Sequence, residues 1–331
     1  MVETSEPAIR AEQLFKRYGE VEAVRGIDLA VQPGEIFGFL GPNGAGKSTT
    51  INILCTLLRP SGGRAFVAGL DVQNDADAVR GRIGLVFQDP ALDEQLTARE
   101  NLEFHAFLYN VPRAIRRQRV GEVLAMVELA DRAGSKVVTF SGGMKRRLEI
   151  ARGILHSPEV LFLDEPTRGL DPQTRRHIWD YLRQLRQREG ITIFMTTHYM
   201  DEAEVCDRIA IIDMGQIVAM GTPDELKAKV GGDVVTIATT DNAVSAAELQ
   251  SRFGLTPISD NGTLRVEVGD GAAVIPRLVR ELSAQVTSVT MRRPSLDDVF
   301  LKLTGRAIRD EEAGALDRLR AMSARFSRRR L

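Results

Sequence analysis

The stretch Gly41-Pro42-Asn43-Gly44-Ala45-Gly46-Lys47-Ser48 decides the fold, because it sets fixed glycines beside a lysine and a hydroxyl. It fits the pattern G-x-x-x-x-G-K-[ST], whose glycines let backbone N–H groups close around phosphate oxygens. The pattern follows an apolar run at 36–40, which predicts a buried strand, and opens a helical pattern over 47–58. Strand, loop and helix in this order predict a phosphate-binding loop.

Each residue type in this loop has its own task in binding phosphate. Lys47 neutralises the terminal phosphates, the helix N-terminus adds a positive end, and the Ser48 hydroxyl can ligate Mg²⁺. The residues predicted to bind the phosphates are Gly41, Pro42, Asn43, Gly44, Ala45, Gly46, Lys47, Ser48 and Thr49.

A second apolar run, Val160 to Leu163, ends in two adjacent carboxylates, Asp164 and Glu165. Ligands bind at the carboxyl ends of strands in parallel α/β sheets, so this position predicts a site. Adjacent strand residues point to opposite faces, so the two carboxylates cannot share one task. One can hold a metal ion or its water, and the other can address an attacking water.

Alternating strand and helix patterns organise residues 1–230 into an α/β domain with a mostly parallel, covered sheet. Further elements are expected as buried strands at 83–87, 191–197 and 208–213 and helices at 172–189 and 199–206. Residues 97–156 are rich in helix formers, so they predict a helical insert.

A shift of composition at Val230-Gly231-Gly232 predicts a linker. Beyond it the patterns indicate strands at 234–239, 263–268 and 286–292 and helices at 243–253, 272–283 and 295–303. This order resembles a small α+β sandwich of the split βαβ kind, predicted as an accessory domain over 231–305.

The end of the chain, 306–331, is a basic tail with eight arginines and four acidic residues. Apolar side chains at Leu316, Leu319, Met322 and Phe326 recur at helical spacing in it. A solvated terminus is the commoner outcome for such a segment. The alternative is a helix that lies on anionic lipid.

Composition excludes several function classes. The 331 residues carry 44 basic and 45 acidic side chains, so the net charge of −1 gives no reason to expect a nucleic-acid partner. Two cysteines, Cys55 and Cys206, lack metal-ligand spacing and fit a reducing compartment. No secretory signal opens the chain, and no apolar run reaches the length of about 18 residues that spans a membrane. We therefore expect a cytoplasmic protein.

A third motif separates this chain from other proteins with a phosphate loop. It is Thr139-Phe140-Ser141-Gly142-Gly143-Met144-Lys145-Arg146-Arg147, which resembles the signature sequence of the ATP-binding cassette (ABC) ATPases. Four further elements resemble conserved elements of that family and occur in the same order along the chain. They are Tyr18, Gln88, Gly169-Leu170-Asp171 and His198. The resemblance covers roughly residues 8–225 and implies a P-loop NTPase cassette with a helical subdomain at about 89–157.

The resemblance also implies the tasks of the matched residues. The implied catalytic residues are Glu165 as general base, His198 at the γ-phosphate, and Lys47. The implied magnesium ligands are Ser48, Gln88 and, through a water, Asp164. Outside the phosphate loop, the implied nucleotide-binding residues are Tyr18 on the adenine, Gln88, and Ser141, Gly142 and Gly143 on the ATP of a second cassette. One cassette per chain implies a dimer, most simply a homodimer.

Three residues depart from the family pattern, namely Phe140, Met144 and Arg168. The segment FSGGMKRRLEIA, which contains the first two, resembles the ATPase subunits of two-component drug exporters of the daunorubicin type, as do THYMDEAE from Thr197 and a late PSLDDVF segment at 294–300. That late segment also predicts a helix with Ser295 as its N-cap and a buried face of Leu296, Val299, Phe300 and Leu303.

These observations favour an ATP-hydrolysing subunit on the cytoplasmic face of the membrane, which drives efflux of a drug, antibiotic or lipid through a separate permease. The segment Leu96 to Leu102 resembles the surface where the family receives its membrane subunit, so charge reversal at Glu100 is expected to weaken docking. One alternative is a soluble cassette ATPase of translation or DNA repair, and another is a P-loop switch or kinase. The signature and His198 argue against the last.

Overall fold

The computed structural model describes residues 6–88, 91–260 and 262–305, and over these the chain forms two compact units. The first unit extends to Gly221, and the second begins at Thr222. Among the described residues, none of the helices combines the length and apolar character needed to cross a bilayer. The predicted tail, 306–331, lies outside the described residues.

Two sheets form the framework of the first unit. Its strands are β1 (Ile9–Tyr18), β2 (Val21–Val31), β3 (Ile36–Leu40), β4 (Gly62–Val67), β5 (Leu70–Asp71), β6 (Ile83–Val86), β7 (Val160–Asp164), β8 (Thr192–Thr197), β9 (Arg208–Asp213) and β10 (Gln216–Gly221). The central sheet has the order β10-β9-β3-β8-β7-β6, parallel except at β10. The other sheet, β2-β1-β4-β5, is antiparallel. The predicted α/β class is confirmed.

The central sheet is covered on both faces, which explains its continuous apolar runs. Every residue of β3 and β8 is buried, including the threonines of β8. Phe37, Phe162 and Phe194 come from three adjacent strands and pack ring against ring, with centroids 5.6–5.7 Å apart. Such aromatic contacts stabilise the layer beyond the area that they bury.

Helices surround this sheet, and three of them form a separate cluster. The helices of the first unit are α1 (Lys47–Leu54), α2 (Ala76–Arg82), α3 (Ala98–Leu108), α4 (Arg113–Met126), α5 (Gly142–Ile154), α6 (Pro172–Glu189) and α7 (Met200–Ala203), with short 3₁₀ helices at Ala130–Arg132 and Val137–Thr139. Helices α3, α4 and α5 pack against one another within the stretch that the sequence predicts to be helical.

Several elements of the first unit differ from their sequence patterns. Helix α7 spans Met200–Ala203 rather than the predicted 199–206. Helix α1 ends at Leu54 rather than at Leu58, because Thr56 adopts a left-handed backbone with φ of 65°. Strand β10 was not predicted. It returns along β9 through Met214-Gly215, where both φ values are positive, the geometry of a tight hairpin turn.

The second unit is an antiparallel sheet with helices packed on one face. Its elements are α8 (Pro223–Ala228), β11 (Asp233–Thr239), α9 (Asn242–Phe253), β12 (Ile258–Asp260), β13 (Thr263–Val268), α10 (Gly271–Glu281), β14 (Val286–Arg292) and α11 (Leu296–Thr304). The strand order is β12-β13-β11-β14. Its core is formed mainly by Val235, Ile237, Leu249, Leu264, Val266 and Leu278. The β-α-β-β-α-β order is that of the split βαβ sandwich.

Three details of the second unit differ from the sequence patterns. Strand β12 was missed, since it has three residues and is defined by its pairing with β13. The unit begins at Thr222 rather than after residue 230, because α8 packs against α11. In α11, Ser295 is the N-cap and Phe300 is buried as predicted, but Leu303 is 46% exposed, so its placement on the buried face was wrong.

Candidate active site

The carboxyl ends of β3, β7 and β8 lie side by side at one edge of the central sheet. The phosphate-loop sequence begins at Gly41, directly after β3. Asp164 and Glu165 stand at the end of β7, and His198 follows β8. The parallel register places Leu40 beside Thr197 and Asp164 beside Thr196, so three separate motifs meet at this edge.

At two positions of the loop the surrounding backbone leaves no room for a Cβ atom, so only glycine fits. Gly46 has φ of 108°, and a Cβ there would lie 2.5 Å from the backbone oxygen of Ala23. At Gly41, a Cβ would lie 2.3 Å from the backbone oxygen of Ile212. The loop therefore lies against β2 and the end of β9, which only glycine permits.

The loop leads directly into α1, whose first residue is Lys47. The first turn of α1 contains no acidic side chain, so nothing there neutralises the positive end of the helix dipole. The other predicted phosphate-binding residues surround this helix start and are Pro42, Asn43, Gly44, Ala45, Ser48 and Thr49. A helix start that follows a glycine loop in this way is suited to bind an anion.

Lys47 is 5% exposed and turns back over its own loop. Its Nζ donates to the backbone oxygens of Gly41 at 2.7 Å and Pro42 at 3.0 Å. The same Nζ lies 3.7 Å from Oε1 of Glu165. The lysine therefore joins the phosphate loop to the carboxylate at the end of β7.

Glu165 is held on several sides. It is 6% exposed, and its Oε1 lies 3.0 Å from Nδ1 of His198. Its backbone N–H donates to Oγ1 of Thr196 at 3.1 Å, and Nη1 of Arg168 lies 3.5 Å from its Oε2. Its φ of 46° is rare for a residue with a side chain, so the surrounding contacts hold a strained backbone.

Burial and charge act on the pKa of Glu165 in opposite directions. Burial alone raises this pKa, but the hydrogen bond and charge of His198, with the charge of Lys47, outweigh it. The Arg168 guanidinium acts in the same direction, and the net effect lowers the pKa of the Glu165 carboxyl below its ordinary value. The carboxylate is therefore ionised near neutral pH, as a general base must be.

Oxygen atoms that could ligate a hard cation lie beside this carboxylate. The Ser48 hydroxyl is 3.5 Å from Oδ1 of Asp164, and that oxygen also accepts from the Thr196 hydroxyl at 2.5 Å. A hydroxyl and a carboxylate are the ligand types that Mg²⁺ prefers, so this pair fits the ion. Gln88 is half-buried and lies two residues beyond the end of β6, the strand beside β7, and no hydrogen bond within the described residues joins it to Ser48 or Asp164.

Tyr18 and the signature residues lie apart from this cluster. Tyr18 ends β1 and is 48% exposed, with Nζ of Lys16 5.2 Å from its ring centre. Ser141 is the N-cap of α5, and its hydroxyl accepts from the N–H of Met144. Within the described residues, no hydrogen bond or ion pair joins 141–143 to the phosphate loop of the same chain.

Comparison with known proteins places this geometry in a family. The family model for the ABC transporter domain matches residues 24–168, and a model described as the C-terminal domain of DrrA1-3-like ATP-binding proteins matches 221–304. The daunorubicin resistance ATP-binding protein DrrA3 of Streptomyces coeruleorubidus is 44% identical over 93% of this chain and 99% of the relative. The chain belongs to the ABC transporter family.

Other ABC transporter proteins support the same assignment. The linearmycin resistance ATP-binding protein LnrL of Bacillus subtilis is 40% identical over 91% of this chain and 100% of the relative. The Nod factor export ATP-binding protein I of Paraburkholderia xenovorans is 41% identical over 92% of this chain and 99% of the relative. This ABC transporter chain is therefore an ATP-binding and ATP-hydrolysing subunit of an exporter.

Solved ABC cassettes share the fold. The cbiO1 subunit from Clostridium perfringens, part of an ABC transporter complex, has a TM-score of 0.64 at 28% identity, covering 76% of this chain and 98% of that one. A dimeric ATP-binding cassette in a post-hydrolysis state, bound to ADP and phosphate, has a TM-score of 0.58 at 31% identity, covering 65% of this chain and 98% of that one.

Sequence reasoning missed two residues of this ABC transporter site. Thr196 contacts both Asp164 and Glu165, and the parallel register of β7 and β8 is the signal that would have indicated it. Arg146, within the signature motif, is 5% exposed and donates to the backbone oxygens of Phe87 and Pro166. It thus ties α5 to the segments that carry Gln88 and Glu165, a contact that no local pattern reveals.

Proposed function

We propose that this chain hydrolyses ATP between two copies of itself to drive efflux of a drug, antibiotic or lipid-like molecule through a separate membrane subunit. The observation that carries the catalytic part is the contact of Glu165 with His198 beside the buried Lys47. Phosphoryl transfer requires positioning and charge neutralisation more than covalent chemistry, and this cluster supplies a base and cations.

The proposal gives each residue of the site a defined task. The backbone of 41–49 and Lys47 bind the phosphates, and Tyr18 stacks on the adenine. Glu165 accepts a proton from the attacking water, and His198 orients Glu165 and reaches the γ-phosphate. Magnesium, when bound, would neutralise phosphate charge, and Ser48, Gln88 and, through a water, Asp164 would hold it.

The signature residues Ser141, Gly142 and Gly143 serve the ATP of the second copy. Two observations support this assignment. The three residues open α5, whose first turn contains no acidic side chain, and they make no hydrogen bond to the phosphate loop of their own chain within the described residues. A helix start of this kind suits an anion brought by another molecule.

The transport part of the proposal is supported by the relatives. Their names describe resistance to daunorubicin and linearmycin and export of Nod factor. The proposed location is the cytoplasmic face of the membrane, where ATP is available. No specific observation favours a soluble ATPase of translation or DNA repair.

Affinity purification of the tagged chain from detergent-solubilised native membranes tests the transport part. A polytopic membrane protein in stoichiometric amount is the expected companion, and its identity opens the search for the substrate. Ribosomal or DNA-bound companions without a membrane protein would contradict the transport proposal and leave the ATP site intact.

A further inference from the structure

A buried carboxylate that the proposed mechanism does not use lies behind His198. Glu202, in α7, is 1% exposed. Its Oε2 accepts from the hydroxyl of Thr197 at 2.5 Å, and that hydroxyl also accepts from the N–H of Tyr199 at 2.9 Å. Glu202 therefore fixes the two residues that flank His198.

The other oxygen of Glu202 faces a cation on a different helix. Its Oε1 lies 3.8 Å from Nε of Arg175 in the first turn of α6, and within the described residues neither atom has a hydrogen-bond partner. The Arg175 guanidinium also lies over the Tyr199 ring at 4.4 Å, and that ring lies 4.0 Å from the His198 ring. Arg175 thus contacts the segment around His198 in two ways, through the charge of Glu202 and through the ring of Tyr199.

The first turn of α6 is continuous with another predicted functional loop. Asp171 is the N-cap of α6, and its backbone oxygen accepts from the N–H of Arg175 at 3.0 Å. Asp171 ends the Gly169-Leu170-Asp171 stretch that follows Glu165 and Arg168 in the chain. A contact between Glu202 and Arg175 therefore joins the segments on both sides of the catalytic carboxylate.

Two buried polar atoms left without hydrogen bonds carry a free-energy cost that a native structure retains only for a reason. An ion pair at 3.8 Å without a hydrogen bond recovers only part of the cost of burying its charges. If the two side chains moved closer together, one hydrogen bond from Nε of Arg175 to Oε1 of Glu202 would give both atoms a partner. The pair is therefore suited to a state in which the two side chains lie closer together than they do here.

We propose that Glu202 and Arg175 are positioning residues. Their ion pair holds His198 at a fixed position relative to the start of α6, and it is needed for turnover but not for ATP binding. This inference rests on the proposed function of Glu165 and His198. Neither residue touches the reacting atoms; both act through His198 and through the loop that ends at Asp171.

The electrostatics make this pair sensitive to pH in the neutral range. Burial raises the pKa of Glu202 to about 7, partly opposed by the hydrogen bond from Thr197 and the charge of Arg175. The other ionisable groups that act on Glu202 or respond to its charge are His198, Glu165, Arg146 and Cys206. Below this pKa the carboxyl is neutral, and its attraction for Arg175 is lost.

Steady-state ATPase assays on the purified full chain, from pH 5.5 to pH 9, test the proposal. Glu202→Gln is expected to lower kcat at least about tenfold at pH 8.5 with KM for ATP within about twofold. The ratio of the wild-type kcat to that of the variant is expected to fall towards one near pH 5.5, where wild-type Glu202 is itself neutral. The matched control is Glu204→Gln, the same change at an exposed position two residues later, whose ratio should stay near one throughout.

A ratio that is constant with pH would assign Glu202 a purely structural role and overturn the proposal, as would an unchanged kcat. Arg175→Gln and the double variant Glu202→Gln/Arg175→Gln give an independent readout. Removal of either partner of the ion pair should lower kcat by as much as removal of both. Additive losses would contradict the pairing. If Glu202→Gln fails to fold, Arg175→Lys replaces it, since it keeps the charge and should keep the wild-type shape of the pH profile.

The same assay separates this inference from the function on which it rests. Glu165→Gln must lose turnover for the catalytic proposal to stand. If it does and the Glu202→Gln ratio does not vary with pH, only the positioning inference fails. If Glu165→Gln hydrolyses ATP at the wild-type rate, the failure lies in the assignment of the base.

Discussion

Nζ of Lys47 lies 3.7 Å from Oε1 of Glu165, and both side chains are almost fully buried. In this state the lysine also contacts the backbone oxygens of its own loop. Phosphate oxygens that enter the loop must therefore compete with these contacts for the ammonium group. The phosphate site and the proposed base are neighbours that share one cation, and variants at the two positions should separate binding from turnover.

Glu165→Gln should retain ATP binding and lose turnover. The amide keeps the shape of the side chain but cannot accept the proton of the attacking water, and removal of a general base costs roughly 10²- to 10⁴-fold in rate. The measurement is the dissociation constant for ATP by calorimetry beside kcat by phosphate release. Turnover at the wild-type rate would remove Glu165 from this role.

Lys47→Ala should lose both binding and turnover. A hydrogen bond to a charged group contributes about 1.5–3 kcal/mol, so the loss of the ammonium should weaken ATP binding at least about tenfold. The same calorimetric titration measures it, with adenosine as the control ligand. Adenosine lacks phosphates, so its weak binding should not change, and equal losses for both ligands would indicate a misfolded loop instead.

Arg168→Ser should shift the pH dependence of turnover. The guanidinium helps to lower the pKa of Glu165, so its removal raises that pKa and protonates the base at a higher pH. We expect kcat to decrease on the acidic side of the profile and to remain unchanged on the alkaline side. Arg176→Ser, at an exposed position in α6, is the matched control. Superimposable profiles for all three proteins would show that Arg168 does not act on the base.

Much of the site follows from the sequence because its residues stand at strand ends. Strand β7 contains the apolar run 160–163, β9 spans the predicted 208–213, and α6 spans the predicted 172–189. In each case the signal is local: the interior of β7 and of β9 is an uninterrupted apolar run, and α6 begins at a capping aspartate followed by proline. The parallel arrangement of the strands then brings Asp164 and His198 to one edge.

The remainder depends on partners distant in sequence. Strand β12 exists through pairing with β13, and Leu303 is exposed although the helical period predicts it to be buried. The pair of Glu202 and Arg175 joins two helices across the end of the sheet. Periodicity describes a single element and its faces, so it cannot reveal which side chain on another element completes a contact.

The sequence-based expectation for Glu100 needs a different control in view of the structure. Glu100 accepts from the N–H and hydroxyl of Thr97, and Thr97 accepts from the N–H of Glu100, which together form a capping box at the start of α3. These hydrogen bonds lower the pKa of the Glu100 carboxyl. Charge reversal at Glu100 therefore removes a helix cap as well as a surface charge.

Two variants separate these effects in the docking assay. Thr97→Ala removes the cap, and we expect it to cost about 1 kcal/mol of stability while it leaves the surface charge. Glu100→Lys should also weaken the cap and, in addition, reduce recovery of the membrane subunit in pull-downs. If both variants recover equally reduced amounts of the membrane subunit relative to the wild type, the cap, rather than the charge of Glu100, governs docking.

Glu202→Gln should alter the pH dependence of stability. The pKa of Glu202 is about 7 in the folded protein and 4.5 as an unperturbed side chain, so its stabilising contribution is complete below the lower value and is lost as pH rises through 7. Glutamine does not ionise, so we expect the free energy of unfolding of the wild type to fall by about 2 kcal/mol relative to the variant between pH 5 and pH 8. Urea denaturation at several pH values measures the difference. Glu204→Gln should run parallel to the wild type, and a parallel curve for Glu202→Gln would place the pKa of Glu202 near its ordinary value and remove the basis for the pH-dependent turnover ratio expected of Glu202→Gln.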